Sequence, residues 1–226
     1  MPAWGVIFDM DGTLMDNNPF HLKAWQAFCE RRGRKLTAEE YLQQVSGKNN
    51  EATLKYLFPE LNWNAETLAA AKAEKEALYR ELYAPHIRPI DGLETFMQAL
   101  KHHHIPIAVA TSAMPENIQF ALERLPITPY VDVIVDSTQV KHGKPAPDLY
   151  LLAAEKIHVP AETCIVFEDS LNGVQGALAA GMYVIAITTS HGAEAFPQAH
   201  QVIQDYTGLS YEQLQQWIAP RLNMRK

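Results

Sequence analysis

Two carboxylates stand one residue apart at the end of an apolar run, Val6-Ile7-Phe8-Asp9-Met10-Asp11-Gly12-Thr13-Leu14. Such a run fits a buried strand that delivers polar side chains to the edge of a sheet. In an extended strand, side chains at i and i+2 share a face, which would set the two carboxylates in a repelling row. Gly12 and Thr13 are therefore expected to bend the chain, so that Asp9 and Asp11 flank one reacting group from different directions. Carboxylates act as covalent nucleophiles in aspartyl-phosphate chemistry. An ordinary aspartate, with a pKa of about 3.9, is ionised at neutral pH and ready for that role. Taken alone, Asp-x-Asp is more often a polar turn than a site, so other residues must converge on it before it counts as one.

The elements that would bring them there fall into two regions. Between Asn17 and Ala84 no strand candidate interrupts a series of helical patterns. Phe20, Ala24, Ala27 and Phe28 keep helical spacing up to Gly33, a residue suited to ending a helix. Thr37-Ala38-Glu39-Glu40 reads as a capping box. A polar loop, Ser46-Gly47-Lys48-Asn49-Asn50, precedes a helix over 51–57, and a longer one runs from Asn64 to residue 82 or 83. After Pro85 the pattern alternates. Strands are expected over 107–110, 131–135, 164–167, 183–187 and 202–203. Helices are expected from residue 91 to the His102-His103-His104 run, from Pro115, and over 147–156, 171–180 and 211–218. Strands separated by helices imply a parallel sheet built from right-handed crossovers. The fold class is α/β, a parallel sheet flanked by helices, with an all-helical insert after the first strand.

In such sheets ligands bind beyond the carboxyl ends of the strands. There the sequence places Asp9 and Asp11, then Thr111 and Ser112, then Lys144, then Glu168 and Asp169. Asp9, Glu168 and Asp169 supply hard oxygen ligands suited to Mg2+, which keeps waters and holds a substrate phosphate. Cysteine and histidine pairs at zinc spacing are absent from the sequence, which disfavours zinc. Thr111 and Ser112 can donate hydrogen bonds to phosphate oxygens, helped by the helix start at Pro115. Lys144 can neutralise a phosphoryl group and pair with the carboxylates. Phosphoryl transfer asks mainly for alignment and charge stabilisation. Asp9 would attack phosphorus, and Asp11 would protonate the leaving oxygen and then activate water.

Composition narrows the partners. The 226 residues carry 19 Lys and Arg against 26 Asp and Glu, a formal net charge of −7. An acidic chain without a basic run is not built to bind nucleic acid. A small phosphorylated metabolite is the expected partner. No stretch is long and apolar enough to span a bilayer, and the first strand begins too early to leave room for a signal peptide. Cys29 and Cys164 lie in separate apolar segments and read as reduced, buried thiols. The expected compartment is the cytoplasm.

Asp9-Met10-Asp11-Gly12-Thr13-Leu14, Thr111-Ser112, Lys144-Pro145-Ala146-Pro147-Asp148 and Phe167-Glu168-Asp169-Ser170 resemble the four ordered motifs of the haloacid dehalogenase superfamily. The resemblance covers the whole chain and implies a Rossmann-like catalytic core, expected over 1–15 and 87–226, with a helical cap domain, expected over 16–86, inserted directly after the first motif. It implies Asp9 as nucleophile, Asp11 as acid/base and Lys144 as the phosphate-neutralising cation. It implies metal ligation by Asp9, the main-chain carbonyl of Asp11 and Asp169, with Glu168 at the metal or one contact removed. Monomers are common among such proteins. A second Asp at position 11 points to phosphatases and phosphomutases, since dehalogenases, transport ATPases and phosphonate hydrolases of this superfamily lack it.

Phe20-His21-Leu22-Lys23-Ala24-Trp25 and Lys75-Glu76-Ala77-Leu78-Tyr79 are similar to the β-phosphoglucomutase-like subfamily. Mutases of that group carry a basic residue after the second-motif serines and an arginine in the cap loop. This chain has Met114 and Pro115 at the first place, and Lys48 without arginine's bidentate fork at the second. The expected activity is therefore hydrolysis of a small phosphate ester, a sugar phosphate by class. Interconversion of β-glucose 1-phosphate and glucose 6-phosphate is the same-site alternative, and a non-catalytic phosphate-sensing module the alternative of another class. Within the cap, His21, Lys48 and Asn49 are the expected substrate contacts. Trp25, one helical turn from His21, reads as core packing. The His102–His104 run reads as a solvated helix end. Cap closure would exclude water from the site, with hinges near residues 15–18 and 85–89.

Overall fold

The computed structural model describes residues 3–46 and 48–224. It divides into two compact units, Met1–Asp16 with Arg88–Lys226, and Asn17–Ile87.

The first unit is built on a six-stranded sheet of β1 (Gly5–Phe8), β2 (Ile107–Thr111), β3 (Val133–Asp136), β4 (Cys164–Glu168), β5 (Tyr183–Ile187) and β6 (Gln201–Ile203). The strand order is β3-β2-β1-β4-β5-β6 and every pairing is parallel. The expected Rossmann-like sheet is therefore present. Strands β1, β2, β4 and β5 are buried along their whole length, which explains their continuous apolar runs, since both faces are covered. The third strand starts two residues later than the apolar pattern placed it, because residues 128–130 form a short 3-10 turn. The order reverses at β1, which lies between β2 and β4. A crevice at such a reversal is the usual ligand position in an open parallel sheet.

The two faces differ in chemistry. One packs Ile7, Ala108, Ala110, Cys164 and Val166 against Leu149, Tyr150 and Ala153 of α7 (Asp148–Lys156) and Val174 and Ala177 of α8 (Leu171–Ala179). The other stacks Phe8 on Phe167 with ring centroids 4.9 Å apart, beside Tyr206 and Phe96 of α5 (Leu93–His102). Helix α6 (Pro115–Leu122) and α9 (Tyr211–Asn223) complete the unit. His102, His103 and His104 are exposed, and His103 stacks on Tyr211 at 3.7 Å.

The second unit consists of α1 (Asn18–Glu30), α2 (Ala38–Gln44), α3 (Asn50–Leu57) and α4 (Ala65–Tyr83). Its core joins Trp25, Phe28, Leu54, Phe58, Leu78 and Tyr79. Thr37 caps α2 by accepting from the Glu40 amide at 3.1 Å. The Glu40 carboxylate turns to Arg34 and Tyr56. Gly33 sits three residues beyond the end of α1 with φ +70°, a conformation glycine adopts without strain. No helix among the described residues is long and apolar enough to cross a membrane.

Candidate active site

Asp9 follows the last residue of β1, and its main-chain amide donates to the Phe167 carbonyl at 3.0 Å, which ties the turn to β4. Beyond it the chain bends at once. Gly12 has φ +74°, Asp11 bridges to Met15, and the Leu14 amide donates to the Met10 carbonyl at 2.9 Å. This turn takes Asp11 off the strand direction and leaves it half-buried, while Asp9 is 6% exposed.

Lys144 lies eight residues past β3, yet its Nζ reaches Asp9 Oδ1 at 2.5 Å and Glu168 Oε1 at 2.6 Å. Positions 9, 144 and 168 thus meet in one buried cluster. Asp169 completes it. Carboxylate oxygens of Asp9, Glu168 and Asp169 lie within 4.8 Å of one another, and all three residues are buried. Burial pushes the Asp9 carboxyl well above its ordinary range; the Lys144 ammonium opposes this, while Glu168, Asp169 and Asp11 add to it. Glu168 moves the other way. Burial would raise it, but Lys144, the Ser170 amide and Tyr150 hold it below the usual carboxylate range. Lys144 is held well above its usual value by Asp9 and Glu168, against the opposing effect of burial.

Glu168 is held from four directions. Its Oε1 accepts from Lys144 and from Tyr150 Oη at 2.8 Å, and its Oε2 accepts from the Ser170 amide at 2.8 Å and Ser170 Oγ at 2.9 Å. Ser170 Oγ also caps α8 by accepting from the Gly173 amide at 3.0 Å. A Cβ at position 173 would overlap the Glu168 carboxylate, so the helix start can come this close only with glycine there. Asp169 accepts from Ser190 Oγ and from Thr189 Oγ1 at 3.4 Å; Thr189 Oγ1 also donates to the Gly12 carbonyl at 2.5 Å. The loop after β5 thereby ties the turn carrying Asp11 to the carboxylate after β4.

Thr111 ends β2 and is buried, its Oγ1 accepting from the Ala113 amide at 3.0 Å. The register pairs Val109 with Phe8, which puts Thr111 at the same sheet end as Asp9. Ser112 is exposed at the approach to α6, whose N-terminus has no side-chain cap from Met114.

The helical unit holds a separate polar cluster. Lys75 and Glu76 are 2% and 4% exposed. Lys75 Nζ contacts Glu76 Oε1 at 2.8 Å and His21 Nδ1 at 2.9 Å, and Asn50 donates to Glu76 Oε1 at 2.7 Å. Burial, then Lys75, lower the His21 pKa to about 3, against the pull of Glu76. An ammonium donating to Nδ1 places the proton of the neutral ring on Nε2. Glu76 would be raised by burial, but Lys75, His21 and the hydrogen bonds from Lys75 and Asn50 bring it to about 2. Trp25 is buried, 5.4 Å from Lys75 Nζ at its ring centroid. Lys48 and Asn49 are exposed. Asn49 is engaged as the cap of α3, accepting from the Ala52 amide at 2.9 Å, and Lys48 Nζ lies 5.6 Å from the Tyr56 ring centroid. Gly47 of the same loop lies outside the described residues.

Tyr150, Ser170, Gly173, Thr189 and Ser190 were not singled out from sequence as holders of the acidic cluster. Only Gly173 carries a signal of its own, a glycine in the first turn of a helix, where it weakens the helix unless something must come close.

The cluster is a buried, acidic site with one ammonium in contact with two of its carboxylates, able to bind a cation and to present a carboxylate as nucleophile. Residues 6–187 match the haloacid dehalogenase-like hydrolase family. A phosphorylated carbohydrates phosphatase of Thermotoga maritima is 33% identical over 177 residues, covering 78% of this chain and 81% of its own length. The fructose-1-phosphate phosphatase YqaB of Escherichia coli is 32% identical over 186 residues, covering 81% and 95%. A solved structure, a family IA, variant 3 hydrolase from Entamoeba histolytica, superposes with a TM-score of 0.87 at 29% identity, covering 96% of this chain and 99% of that one.

Proposed function

The chain belongs to the haloacid dehalogenase-like hydrolases, and from that premise we propose that it hydrolyses a small phosphate ester, a sugar phosphate by class, through a phosphoryl group carried on Asp9. The observation that carries this reading is the buried contact of Asp9 Oδ1 with Lys144 Nζ at 2.5 Å, inside a cluster with Glu168 and Asp169. The substrate class rests on the two phosphatase relatives, one acting on phosphorylated carbohydrates and one on fructose 1-phosphate.

The residues fit a divalent metal. Three buried residues bring carboxylate oxygens within 4.8 Å of one another, and two of these carboxylates contact the one ammonium of Lys144. Hard oxygen donors of this kind suit Mg2+. Asp9, Asp169 and the main-chain carbonyl of Asp11 would hold it, leaving Glu168, already accepting four hydrogen bonds, to fix Lys144. Bound there, the ion supplies positive charge that lets an anionic nucleophile approach an anionic phosphate.

The chain's own groups do the rest. Asp9 attacks phosphorus, the ester P–O bond breaks, and Asp11 gives its proton to the departing alkoxide. Asp11, now a carboxylate, takes a proton from a water that attacks the same phosphorus, which frees Asp9 and phosphate. Lys144 neutralises the transferring group at both stages, and Thr111 and Ser112 donate to its oxygens. The whole cycle needs one nucleophile and one proton carrier.

The test is a panel of sugar phosphates with Mg2+, following both phosphate release and isomer formation, for the wild type and Asp9→Asn. Hydrolysis by the wild type and none by a folded Asp9→Asn supports the reading. Retained hydrolysis in Asp9→Asn overturns the mechanism, and isomerisation that outpaces phosphate release overturns hydrolysis in favour of a mutase.

A further inference from the structure

Lys144 is shared. Its ammonium stands 2.5 Å from Asp9 Oδ1 and 2.6 Å from Glu168 Oε1, and the second donor on that Oε1 is the Tyr150 hydroxyl at 2.8 Å. Tyr150 is fully buried and comes from α7, outside the acidic turns and strand ends. Its ring also lies 5.1 Å from Lys144 Nζ, so one side chain touches both members of the Lys144–Glu168 pair. A tyrosine hydroxyl, with an ordinary pKa of about 10, is a donor at neutral pH. It therefore competes with the ammonium for the same carboxylate oxygen.

This competition has a direction. A hydrogen bond to Glu168 Oε1 withdraws charge from that oxygen and weakens its hold on Lys144. Asp9 then takes a larger share of the ammonium. Without the hydroxyl, Oε1 would keep one buried lone pair unpaired, a costly state that closer approach of Lys144 relieves. The ammonium would move toward Glu168 and away from Asp9. Phenylalanine at 150 would leave the packing of α7 against the sheet intact and remove only the oxygen.

We infer that Tyr150 is a positioning residue: by donating to Glu168 it sets how Lys144 divides itself between Glu168 and Asp9. This rests on the proposed phosphatase reading for its effect on turnover, but not for its effect on Lys144 itself. The hydroxyl touches neither the nucleophile nor the phosphoryl group. Its influence passes through Glu168.

The experiment pairs kinetics with a direct view of the ammonium. Tyr150→Phe, Glu168→Gln and the double variant are assayed on the best ester of the panel with Mg2+. The Lys144 ammonium is followed by NMR in protein labelled with 15N-lysine, its signal assigned by loss in Lys144→Arg. Tyr150→Phe is expected to lower kcat by about tenfold with KM changed less than about twofold, the loss of one hydrogen bond to a charged group. The Lys144 signal should shift, and in the Glu168→Gln background the added Tyr150→Phe change should cost much less. An unmoved Lys144 signal overturns the inference, even if kcat falls. A moved signal with wild-type kcat overturns its link to turnover. Should the wild type hydrolyse no ester, the phosphatase reading falls, and the ammonium signal alone decides for or against Tyr150.

Discussion

Replacing Lys75 with methionine should reverse how the helical unit responds to acid. In the wild type, Lys75 sits between Glu76 Oε1 at 2.8 Å and His21 Nδ1 at 2.9 Å, and Asn50 and Tyr41 also face Glu76. Glu76 is brought from 4.5 to about 2, so its stabilisation is present above pH 4.5 and lost as the pH falls through about 2. That depression is worth about 3 kcal/mol. His21 is lowered from 6.5 to about 3. Below pH 6.5 the unfolded chain protonates this histidine and the folded one does not, so stability falls there too, by up to about 5 kcal/mol. The two groups face each other across one ammonium, and the loss between pH 7 and 3 is about 3–5 kcal/mol rather than the sum.

Lys75→Met leaves a buried carboxylate without its ammonium, which should cost about 3–5 kcal/mol at neutral pH. It also frees His21 to protonate and become the partner of Glu76. The variant should then be least stable near pH 7.5 and recover part of the loss at pH 5.5, where the wild type weakens. Urea unfolding followed by tryptophan fluorescence reads this, because Trp25 is buried 5.4 Å from Lys75 Nζ. Replacing Lys75 and Glu76 together by Met and Leu should remove the part of the pH dependence that Glu76 contributes and keep the loss below pH 6.5 that burial of His21 causes. Parallel pH curves for wild type and Lys75→Met would refute the account of the cluster.

Two further outcomes test the acidic site. Gly173→Ala should destabilise by about 1–3 kcal/mol in urea unfolding, although alanine favours a helix by about 1 kcal/mol, because the new Cβ meets the Glu168 carboxylate; it should also lower turnover, and a stabilised, fully active variant would show that Glu168 is free to move. Asp11→Asn should slow hydrolysis by about 10²–10⁴, since both the departing alkoxide and the attacking water lose their proton partner, read as phosphate release, whereas unchanged turnover would remove Asp11 from proton transfer.

The sheet was legible because its strands are buried on both faces and stand out as apolar runs between helical segments. The helical run from residue 17 was legible for the opposite reason, the lack of any such run. The third strand was misplaced by two residues because Val131 belongs to the apolar run but follows a 3-10 turn. Asp9, Lys144, Glu168 and Asp169 could be gathered from sequence because they are charged residues at predicted strand ends. Tyr150 could not. On α7 it reads as one more aromatic of an apolar face, and its hydroxyl acquires a partner only when α7 packs on the sheet and reaches Glu168 at the end of β4. Thr189 and Ser190 were missed in the same way, since short polar residues after a strand fit any loop. Asn49 was legible as a polar loop residue, but its side chain is engaged in capping α3.

By residue type alone Glu168 and Asp169 are two like oxygen ligands, whereas the resemblance sets Asp169 at the metal and Glu168 there or one contact removed; the strand geometry separates them. Neighbouring residues in a strand point to opposite faces. Val166 packs on the α7 and α8 side and Phe167 on the aromatic side, so Glu168 continues the first face and meets Tyr150, Ser170 and the close approach of Gly173. Asp169 meets Thr189 and Ser190, from the loop that also holds the Gly12 carbonyl. One carboxylate is therefore tied to the cation and the other to the turn that carries Asp11. Exchanging their chemistry should not be symmetric. A neutral amide at 168 leaves Lys144 to Asp9 alone, and one at 169 leaves that pair intact while removing negative charge from the other side of the cluster. The adjacency that looked like redundancy places two unlike functions on the two faces of one strand end.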